Sequence, residues 1–174
     1  MRLLIDIGNS KLGLAVFSNN KCVRQARLEH GGQPDYDRVY NFLDKSIGVK
    51  SIKSAAICSV APEITQHTVN AIKHLLDVNS LVVDQTCLKG FKTAYRQPRQ
   101  LGCDRMVASY AAAKLYGRPV IVVDIGTAIT WDAVDSLGRH LGGAIAPGPI
   151  PMSKALNDRT ALLPVVTFKR AKTG

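Results

Sequence analysis

Apolar and polar residues alternate along this chain with two different periods, which predict strands and helices in turn. At the N-terminus three aliphatic residues lead into Asp6, and a short polar turn separates them from a second apolar run that ends at Val16. After Pro34, apolar residues recur every three or four positions up to Ile47, which is the spacing of one helix face. Strands and helices that alternate in this way are typical of an α/β fold.

The same reasoning divides the rest of the chain into short elements. Further strands are predicted at residues 21–28, 52–60, 81–83 and 162–166. Helices are predicted at residues 36–47, 62–76, 104–116 and 150–157. Gly31, Gly32 and Pro34 are predicted to break the chain after the strand at residues 21–28. Residues 88–100, rich in Lys, Arg and Gln, are predicted to form a loop.

Two segments of the chain repeat one pattern. Residues 3–16 read LLIDIGNSKLGLAV, and residues 121–134 read IVVDIGTAITWDAV. Set in register, the segments share identical residues at five positions: Asp6 and Asp124, Ile7 and Ile125, Gly8 and Gly126, Ala15 and Ala133, Val16 and Val134. Each copy predicts a strand, a tight glycine turn and a returning strand. The repeat implies two related sub-domains, at residues 1–117 and 118–174.

The charge balance adds a constraint on partners. Of 174 residues, 23 are Lys or Arg and 13 are Asp or Glu, which gives a formal net charge of +10. Such an excess suits nucleic acid, an anionic membrane surface or a phosphorylated small molecule, but the basic residues are scattered and select none of these. Since no apolar run approaches the roughly 18 residues of a membrane helix, the sequence predicts a cytoplasmic protein without a membrane segment.

Candidate chemistry lies first in the two Asp-x-Gly turns. Asp6 and Asp124 each end an apolar strand, where a carboxylate can hold a divalent cation together with water. The following glycine lets the backbone approach a phosphate, and the Asn, Ser and Thr residues beside it offer hydrogen-bond donors. Turn chemistry alone explains a single copy, but two copies in register favour a ligand-binding role.

A second candidate lies where the helix predicted at residues 104–116 begins. Asp104, in the first turn, is stabilised by the free N–H groups of the helix, so it stays ionised and could accept a proton from a hydroxyl. Arg105 could clamp a substrate carboxylate or phosphate. The alternative is a plain helix cap. The glycines of residues 142–148 permit close approach of a flat ligand or a helix, and a structural turn explains them equally well.

The cysteines and histidines give no recognisable ligand set. No Cys-x-x-Cys pair occurs among the four cysteines, which are Cys22, Cys58, Cys87 and Cys103. Cys58 lies in an apolar run and is predicted to be a buried free thiol. His67 and His74 are interpreted as surface residues. The Gly-x-Ser-x-Gly and P-loop patterns are both absent, which disfavours an α/β-hydrolase and a P-loop enzyme.

Taken together, these motifs resemble those of the type III pantothenate kinases, which belong to the actin-like and sugar-kinase ATPase superfamily. The matching segments, in the family's order, are Asp6-Ile7-Gly8-Asn9-Ser10, Tyr95-x-x-Pro98-x-x-Leu101-Gly102-x-Asp104-Arg105, Asp124-Ile125-Gly126-Thr127-Ala128-Ile129-Thr130, Gly142-Gly143-Ala144-Ile145-Ala146-Pro147-Gly148 and Thr160-Ala161-Leu162-Leu163-Pro164. The resemblance implies an α/β fold of two related actin-like (ribonuclease H-like) sub-domains with mixed sheets. It also implies ATP-dependent phosphorylation of pantothenate to 4'-phosphopantothenate, the first step of coenzyme A biosynthesis, by a homodimer that needs Mg2+ and K+ or NH4+.

The resemblance also assigns roles to single residues. Asp6 would hold the magnesium ion near the transferring phosphate, Asp124 would bind the monovalent cation, and Asp104 would be the catalytic base. The residues implied to contact ATP phosphates are Asp6, Gly8, Asn9, Ser10, Lys11, Gly126, Thr127 and Thr130. The residues implied to bind pantothenate are Tyr95, Gly102, Cys103, Asp104 and Arg105.

One departure from the family pattern concerns the last part of the sequence. Relatives continue past the Leu-Pro motif into a Gly-x-Asn-Thr segment and closing helices, and these do not follow here before Gly174. We therefore expect an incomplete second sub-domain, part of a longer protein, with weak ATP affinity and a tendency to aggregate or to depend on a dimer partner. The alternative function is a non-catalytic regulatory or nucleic-acid-binding relative of the kinases, which would have no need of Asp6, Asp104 and Asp124.

Overall fold

The chain forms two compact units. The structure is a computed structural model that describes residues 1–32, 34–48 and 51–166. The first unit comprises residues 1–90 and 99–107, and the second comprises residues 91–98 and the chain from residue 108 onward. The boundary that the repeat predicts after residue 117 separates the two copies of the repeat, whereas the two units are defined by their internal contacts. The boundary therefore stays a prediction.

A mixed five-stranded sheet forms the first unit. Its strands are β1 (Arg2–Ile7), β2 (Lys11–Ser18), β3 (Lys21–Glu29), β4 (Ser54–Ser59) and β5 (Ser80–Val82). They lie in the order β3-β2-β1-β4-β5. The central strand is β1, which pairs antiparallel with β2 and parallel with β4. The first Asp-x-Gly turn follows this central strand.

Two helices complete the core of the first unit, α1 (Tyr36–Ile47) and α2 (Pro62–Leu76). Asp35 caps α1, since its carboxylate accepts a hydrogen bond from the Arg38 N–H (2.8 Å). Alternate residues of β1 and β2 share one buried cluster with the apolar faces of both helices. The members of this cluster with no exposed surface are Leu3, Leu12, Val16, Val39, Leu43, Ile57, Ala71 and Ile72.

A mixed four-stranded sheet forms the second unit. Its strands are β6 (Lys92–Thr93), β7 (Val120–Ile125), β8 (Ala128–Val134) and β9 (Arg139–Pro147), in the order β6-β9-β8-β7. Helix α3 (Cys103–Leu115) begins in the first unit and ends in the second, and α4 (Pro149–Arg159) follows β9. Among the described residues, no helix combines the length and the apolar character needed to cross a bilayer.

Both copies of the repeat fold as the predicted hairpins, β1–β2 and β7–β8, but their registers differ. Ile7 pairs with Leu12 across the first hairpin, whereas Ile125 pairs with Ile129 across the second. The second connection is therefore one residue shorter than the first. Because successive side chains of a strand point to opposite faces, this difference exchanges the two faces of the returning strand.

The sequence alignment of the two copies is therefore correct up to the turn and wrong beyond it. Val16 pairs with Leu3, but the residue that pairs with Ile121 is Ala133 and not Val134. An alignment without a gap does not reveal this difference in register. The strands on both sides of the turn are apolar, so they still match after one residue of the turn is deleted.

The equivalent sheet faces of the two units differ in exposure. Leu3 and its neighbours on β1 lie in the core of the first unit. The corresponding residues of the second unit form an apolar surface on β7 and β8, which we call the β7 face. Its members are Ile121 (70% exposed), Val123 (49%), Ile125 (67%) and Trp131 (38%).

The predicted helices and most of the predicted strands are confirmed, with ends that shift by one or two residues. Residues 88–100, predicted as a loop, include β6 and a single 3-10 turn at Pro98–Gln100. The strand predicted at residues 162–166 is wrong, since the described chain gives it no pairing partner. Pro164 has no N–H to donate to a sheet, and the Val166 N–H donates instead to Ser153 Oγ (2.6 Å). The residues remain exposed as expected, with Leu162 at 91%.

Candidate functional site

The first Asp-x-Gly turn lies at the end of the central strand β1. Asp6 is exposed and is level with Gly13 on β2 and with Cys58 on β4. The Gly8 N–H donates to the Lys11 carbonyl (2.9 Å), which closes the turn. The carboxylate therefore stands on the outer face of the sheet, beside a backbone turn that glycine keeps narrow.

Lys11, implied by the resemblance to contact phosphate, forms an ion pair with Glu29. Its Nζ lies 3.1 Å from Glu29 Oε1, and both side chains are largely exposed. An exposed pair of this kind contributes little to stability. Lys11 can therefore exchange Glu29 for a phosphate at small cost.

His30, which the sequence analysis did not single out, supports the first turn. It is 7% exposed, and its Nε2 lies 3.2 Å from the Gly8 carbonyl oxygen while its Nδ1 lies 2.8 Å from the Gly32 carbonyl oxygen. The backbone N–H groups of His30 and Gly31 both donate to the Ser10 carbonyl, at 3.0 and 3.3 Å. The signal in the sequence was the glycine pair after β3, which we interpreted only as a break in the chain.

The start of α3 carries the second candidate. The Gly102 carbonyl accepts the first helical hydrogen bond from the Met106 N–H (3.0 Å), and Asp104 Oδ1 accepts from the Arg105 N–H (2.8 Å). Since the helix begins at Cys103, Asp104 is its second residue and not its cap. A Cβ atom on Gly102 would lie 2.6 Å from Asp104 Oδ1. Glycine at residue 102 therefore leaves the room that the Asp104 carboxylate occupies.

Two cysteines lie next to both of these carboxylates. Cys58 Sγ on β4 is 3.2 Å from Cys103 Sγ, and Cys103 in turn donates to the Val83 carbonyl (3.1 Å). Burial, the contact with Cys103, and the negative charges of Asp6 and Asp104 raise the pKa of the Cys58 thiol above its ordinary value. Cys58 is half-buried rather than fully buried as predicted. Asp6 is paired with Cys58 across β1 and β4, and Asp104 directly follows Cys103, so Asp6 and Asp104, 98 positions apart in the sequence, converge in the first unit.

The second Asp-x-Gly turn lies in the second unit, at the end of β7. Asp124 pairs directly with Thr130 on β8, so both side chains point to the same face of the sheet. The Gly126 N–H donates to the Ala128 carbonyl (2.9 Å) and closes the turn. The structure therefore brings together a carboxylate and a hydroxyl that the resemblance implies for the cation and for phosphate.

Gly148 accounts for part of the glycine-rich segment at residues 142–148. Its N–H donates to the Thr127 carbonyl (2.9 Å), and it precedes Pro149, the first residue of α4. A Cβ atom on Gly148 would collide with the Gly126 carbonyl and lie 2.7 Å from that of Thr127. Of the two interpretations given above, ligand approach and a purely structural role, the structural one explains Gly148, which packs closely against the second turn.

A buried pair that the sequence analysis missed lies behind Tyr95. His140 Nε2 is 2.6 Å from Asp132 Oδ1, and the two residues are 0% and 2% exposed. On the other side of the ring, His140 Nδ1 is 3.2 Å from Thr93 Oγ1. The Tyr95 ring makes an edge contact with the His140 ring at 5.4 Å between centroids. The available signal was Asp132 itself, a carboxylate in an otherwise apolar strand, which must be paired when buried.

The predicted site residues thus fall into two groups, one in each unit. The first unit contains Asp6, the first turn and residues 102–105, and the second contains Tyr95, Asp124 and the second turn. Within the described parts of the chain, no three His, Cys, Asp or Glu side chains cluster closely enough to hold a metal ion.

The sequence matches the family described as Type III pantothenate kinase over residues 2–174. A type III pantothenate kinase of Finegoldia magna is 36% identical over 172 residues, which cover 96% of this chain and 66% of the relative. The corresponding protein of Moorella thermoacetica is 35% identical, with 98% of this chain and 69% of the relative covered. The chain thus spans about two thirds of the length of these curated relatives.

Solved structures confirm the fold. A conserved Baf family protein of Campylobacter jejuni, described as a candidate transcriptional activator, aligns with a TM-score of 0.59 at 22% identity, covering 97% of this chain and 68% of that one. A protein of Sinorhizobium meliloti described as a 2-dehydro-3-deoxygalactonokinase aligns with a TM-score of 0.60 at 13% identity, covering 93% and 58%. At these identities the likeness concerns the actin-like α/β fold alone.

The sequence relatives are kinases by name, so the regulatory or nucleic-acid-binding alternative is not favoured. The motifs that suggested the family are carried by the hairpins and by the helix start described above. The family match extends over nearly the whole sequence, including both of these regions. The chain therefore belongs to the type III pantothenate kinase family.

Proposed function

We propose that this protein transfers the γ-phosphate of ATP to pantothenate and forms 4'-phosphopantothenate, the first step of coenzyme A biosynthesis. The observation that supports this most directly is the convergence of Asp6 and Asp104 around Cys58. Transfer to a hydroxyl needs a base for the acceptor and charge neutralisation for the phosphate. Two carboxylates from different elements, one per task, meet this requirement.

In the proposed reaction Asp104 accepts the proton of the pantothenate hydroxyl. The hydroxyl oxygen attacks the γ-phosphorus of ATP, and the bond to ADP breaks as ADP leaves. The Arg105 N–H holds Asp104 Oδ1 at 2.8 Å, so the carboxylate is already oriented before substrate binds. The Arg105 guanidinium would bind the pantothenate carboxylate, for which its planar pair of donors is suited. Tyr95, Gly102 and Cys103 would complete the pantothenate pocket.

The acidic residues of the two turns fit the cations that the family implies. Asp6 offers one exposed carboxylate, and magnesium in phosphoryl-transfer sites is often held by one or two carboxylates together with substrate phosphates. When bound there, the ion would neutralise negative charge on the phosphates. Asp124 and Thr130, side by side on one sheet face, offer oxygen ligands for K+ or NH4+.

The remaining assignments also belong to this proposal. The groups proposed to bind the ATP phosphates are Gly8, Asn9, Ser10, Lys11, Gly126, Thr127 and Thr130. Glycine-rich turns suit this task because successive backbone N–H groups can point at one anion. The homodimer and the cytoplasmic location stay predictions of the family resemblance.

A coupled assay of ADP release tests the proposal. With ATP, Mg2+ and K+ present, ADP should form only when pantothenate is added, and 4'-phosphopantothenate should appear in equal amount by mass spectrometry. Pantetheine, which lacks the carboxylate proposed to face Arg105, serves as the matched poor acceptor. ADP release that does not depend on pantothenate would contradict the proposal.

A further inference from the structure

The loop after β3 contacts the back of the first Asp-x-Gly turn at three points. The Ser10 carbonyl accepts hydrogen bonds from the backbone N–H groups of His30 (3.0 Å) and Gly31 (3.3 Å). The third contact joins the His30 ring to the Gly8 carbonyl oxygen, at 3.2 Å from Nε2. Two carbonyls of a four-residue turn are thus held from one side by a segment 20 residues farther along the chain.

The ring contacts both the turn and its own loop. A proton on Nε2 lets the ring donate to the Gly8 carbonyl. On the other side of the ring, Nδ1 lies 2.8 Å from the Gly32 carbonyl oxygen and 3.3 Å from the Gly32 nitrogen. Because His30 is 7% exposed, water does not compete strongly for these groups. The ring therefore joins the turn to its own loop.

Fixing these carbonyls also fixes which way the turn presents its donors. In a trans peptide the C=O of one residue and the N–H of the next point in opposite directions. The Gly8–Asn9 peptide is trans, so when His30 holds the Gly8 carbonyl the Asn9 N–H points to the opposite side. Asn9 is an exposed residue, and its N–H is directed away from the His30 loop.

Two glycines give the loop its shape. Gly31 has a φ of 62° and Gly32 a φ of 150°, and both values lie in the region that L side chains rarely adopt. This backbone path brings the Gly32 N–H back to the His30 ring and lets two successive N–H groups reach Ser10. The glycine pair, interpreted from the sequence as a break, is therefore part of a support.

We propose that His30, with Gly31 and Gly32, is a positioning residue that holds the first turn in the orientation that binds a nucleotide phosphate. His30 acts through Gly8 and touches neither substrate. The proposal rests on the proposed function in assigning nucleotide to this turn, but the support itself can be measured without any turnover.

Three variants separate the hydrogen bond from the volume of the ring. His30→Phe keeps a ring but removes the donor, and His30→Gln keeps a donor near the place of Nε2. His67→Phe, on α2, is the matched control, because His67 is also partly buried and also contacts a carbonyl, that of Pro34. Amide hydrogen exchange of a peptide covering residues 8–12 and calorimetric titration with Mg-ATP are measured on each.

The expected result is specific to one variant. In His30→Phe the turn amides should exchange at least about tenfold faster. Mg-ATP should bind roughly three- to tenfold more weakly, because one hydrogen bond is lost. His30→Gln and His67→Phe should resemble the unchanged protein, and calorimetric affinity for pantothenate should be the same in all four.

Each other outcome overturns a different statement. If the turn amides of His30→Phe exchange at an unchanged rate, the His30 ring does not support the turn. The same conclusion follows if His30→Gln is as impaired as His30→Phe. Faster exchange with unchanged Mg-ATP affinity would contradict its role toward nucleotide. If Mg-ATP binding follows the expected pattern while pantothenate yields no ADP, the support stands and the proposed kinase reaction fails.

Discussion

In the first unit, two neighbouring carboxylates, those of Asp104 and Asp6, have different requirements in the proposed reaction. In the proposed reaction Asp104 accepts a proton, and its neighbours supply an N–H donor on one side and a glycine without a side chain on the other. In the same reaction Asp6 must be accessible, and it stands on the outer face of the central strand. Cys58 is paired with Asp6 across the sheet, and it contacts Cys103, which precedes Asp104. Small, weakly polar thiols fill this place without offering either carboxylate a competing charge.

The Asp104→Asn variant tests the base. The amide keeps the size of the side chain and an oxygen for the Arg105 N–H, but it cannot accept a proton. We expect kcat to fall by roughly 10²–10⁴ with Mg-ATP affinity unchanged. Asp37→Asn is the control, since Asp37 also lies in the first turn of a helix, α1, but is exposed and away from the site. Steady-state kinetics that are equal for Asp104→Asn and Asp37→Asn would remove Asp104 from the mechanism.

Alkylation tests the surroundings of Cys58. Its pKa is raised, chiefly by burial, so the reactive thiolate is scarce, and more so because the carboxylates nearby are negative. We expect Cys58 to react with iodoacetamide at least about tenfold more slowly than the exposed Cys22. The order should hold as the pH rises from about 7 to 9, because the raised pKa leaves a smaller fraction of Cys58 than of an ordinary thiol in the thiolate form.

Peptide mass spectrometry at several times of labelling gives the two rates. In urea, where burial is lost, Cys22 and Cys58 should label at similar rates. Rapid labelling of Cys58 in the folded protein would show that its thiol is neither buried nor close to the carboxylates.

Among the elements, the junction of β9 and α4 depends on one contact. Gly148 joins the strand to the helix and hydrogen-bonds to the second turn through the Thr127 carbonyl. Because a side chain at this position meets backbone and not a movable side chain, the turn itself must shift to accept one. The orientation of the second turn is therefore coupled to the start of α4.

The Gly148→Ala variant measures this coupling. We expect it to lower the free energy of unfolding by about 1–3 kcal/mol, the usual cost of overpacking, and to weaken Mg-ATP binding. Gly13→Ala is the control for stability, because a Cβ there would meet no atom closer than 3.9 Å. Urea unfolding curves of the two variants that coincide would contradict the tight contact.

At the scale of the whole molecule, the β7 face is an apolar surface that remains exposed. Four large apolar side chains, from 38% to 70% exposed, adjoin one another on two paired strands. Contiguous apolar surface of this kind promotes association. The second half, which we expect to be prone to aggregation, thus exposes apolar surface in two places. One is the β7 face and the other is the region around Leu162.

The Ile121→Lys variant tests this location. A charge at one end of the β7 face should reduce binding of the dye ANS and should shift sedimentation toward smaller species, with stability changed by less than about 0.5 kcal/mol. Leu81→Lys is the matched control, because Leu81 is 55% exposed but lies on the edge strand β5 of the other unit. Equal effects of the two substitutions would show that the β7 face has no special part in association.

Local signals explain what could be predicted from the sequence. The hairpins, the helix begun at Pro62 and the placement of Asp104 in a first turn each depend on residues that are close together in the chain. His30 and the Asp132–His140 pair depend on contacts made only after folding, so spacing alone did not indicate them. The strand expected at residues 162–166 shows the same limit, because an apolar run does not itself provide a neighbour to pair with.

The one-residue difference between the two hairpin connections limits what can be exchanged between the copies. A chimaera built on the alignment without a gap would replace residues 12–16 by residues 130–134 and leave the first turn unchanged. Because residue 12 pairs with Ile7 and residue 14 with Ile5, Thr130 and Asp132 would take the places of Leu12 and Leu14, which are at most 3% exposed. A hydroxyl and a carboxylate would then stand in the apolar core of the first unit, which costs free energy unless each finds a partner. The two halves still resemble each other in sequence, but recombination at aligned positions after the turn would place polar groups in the core.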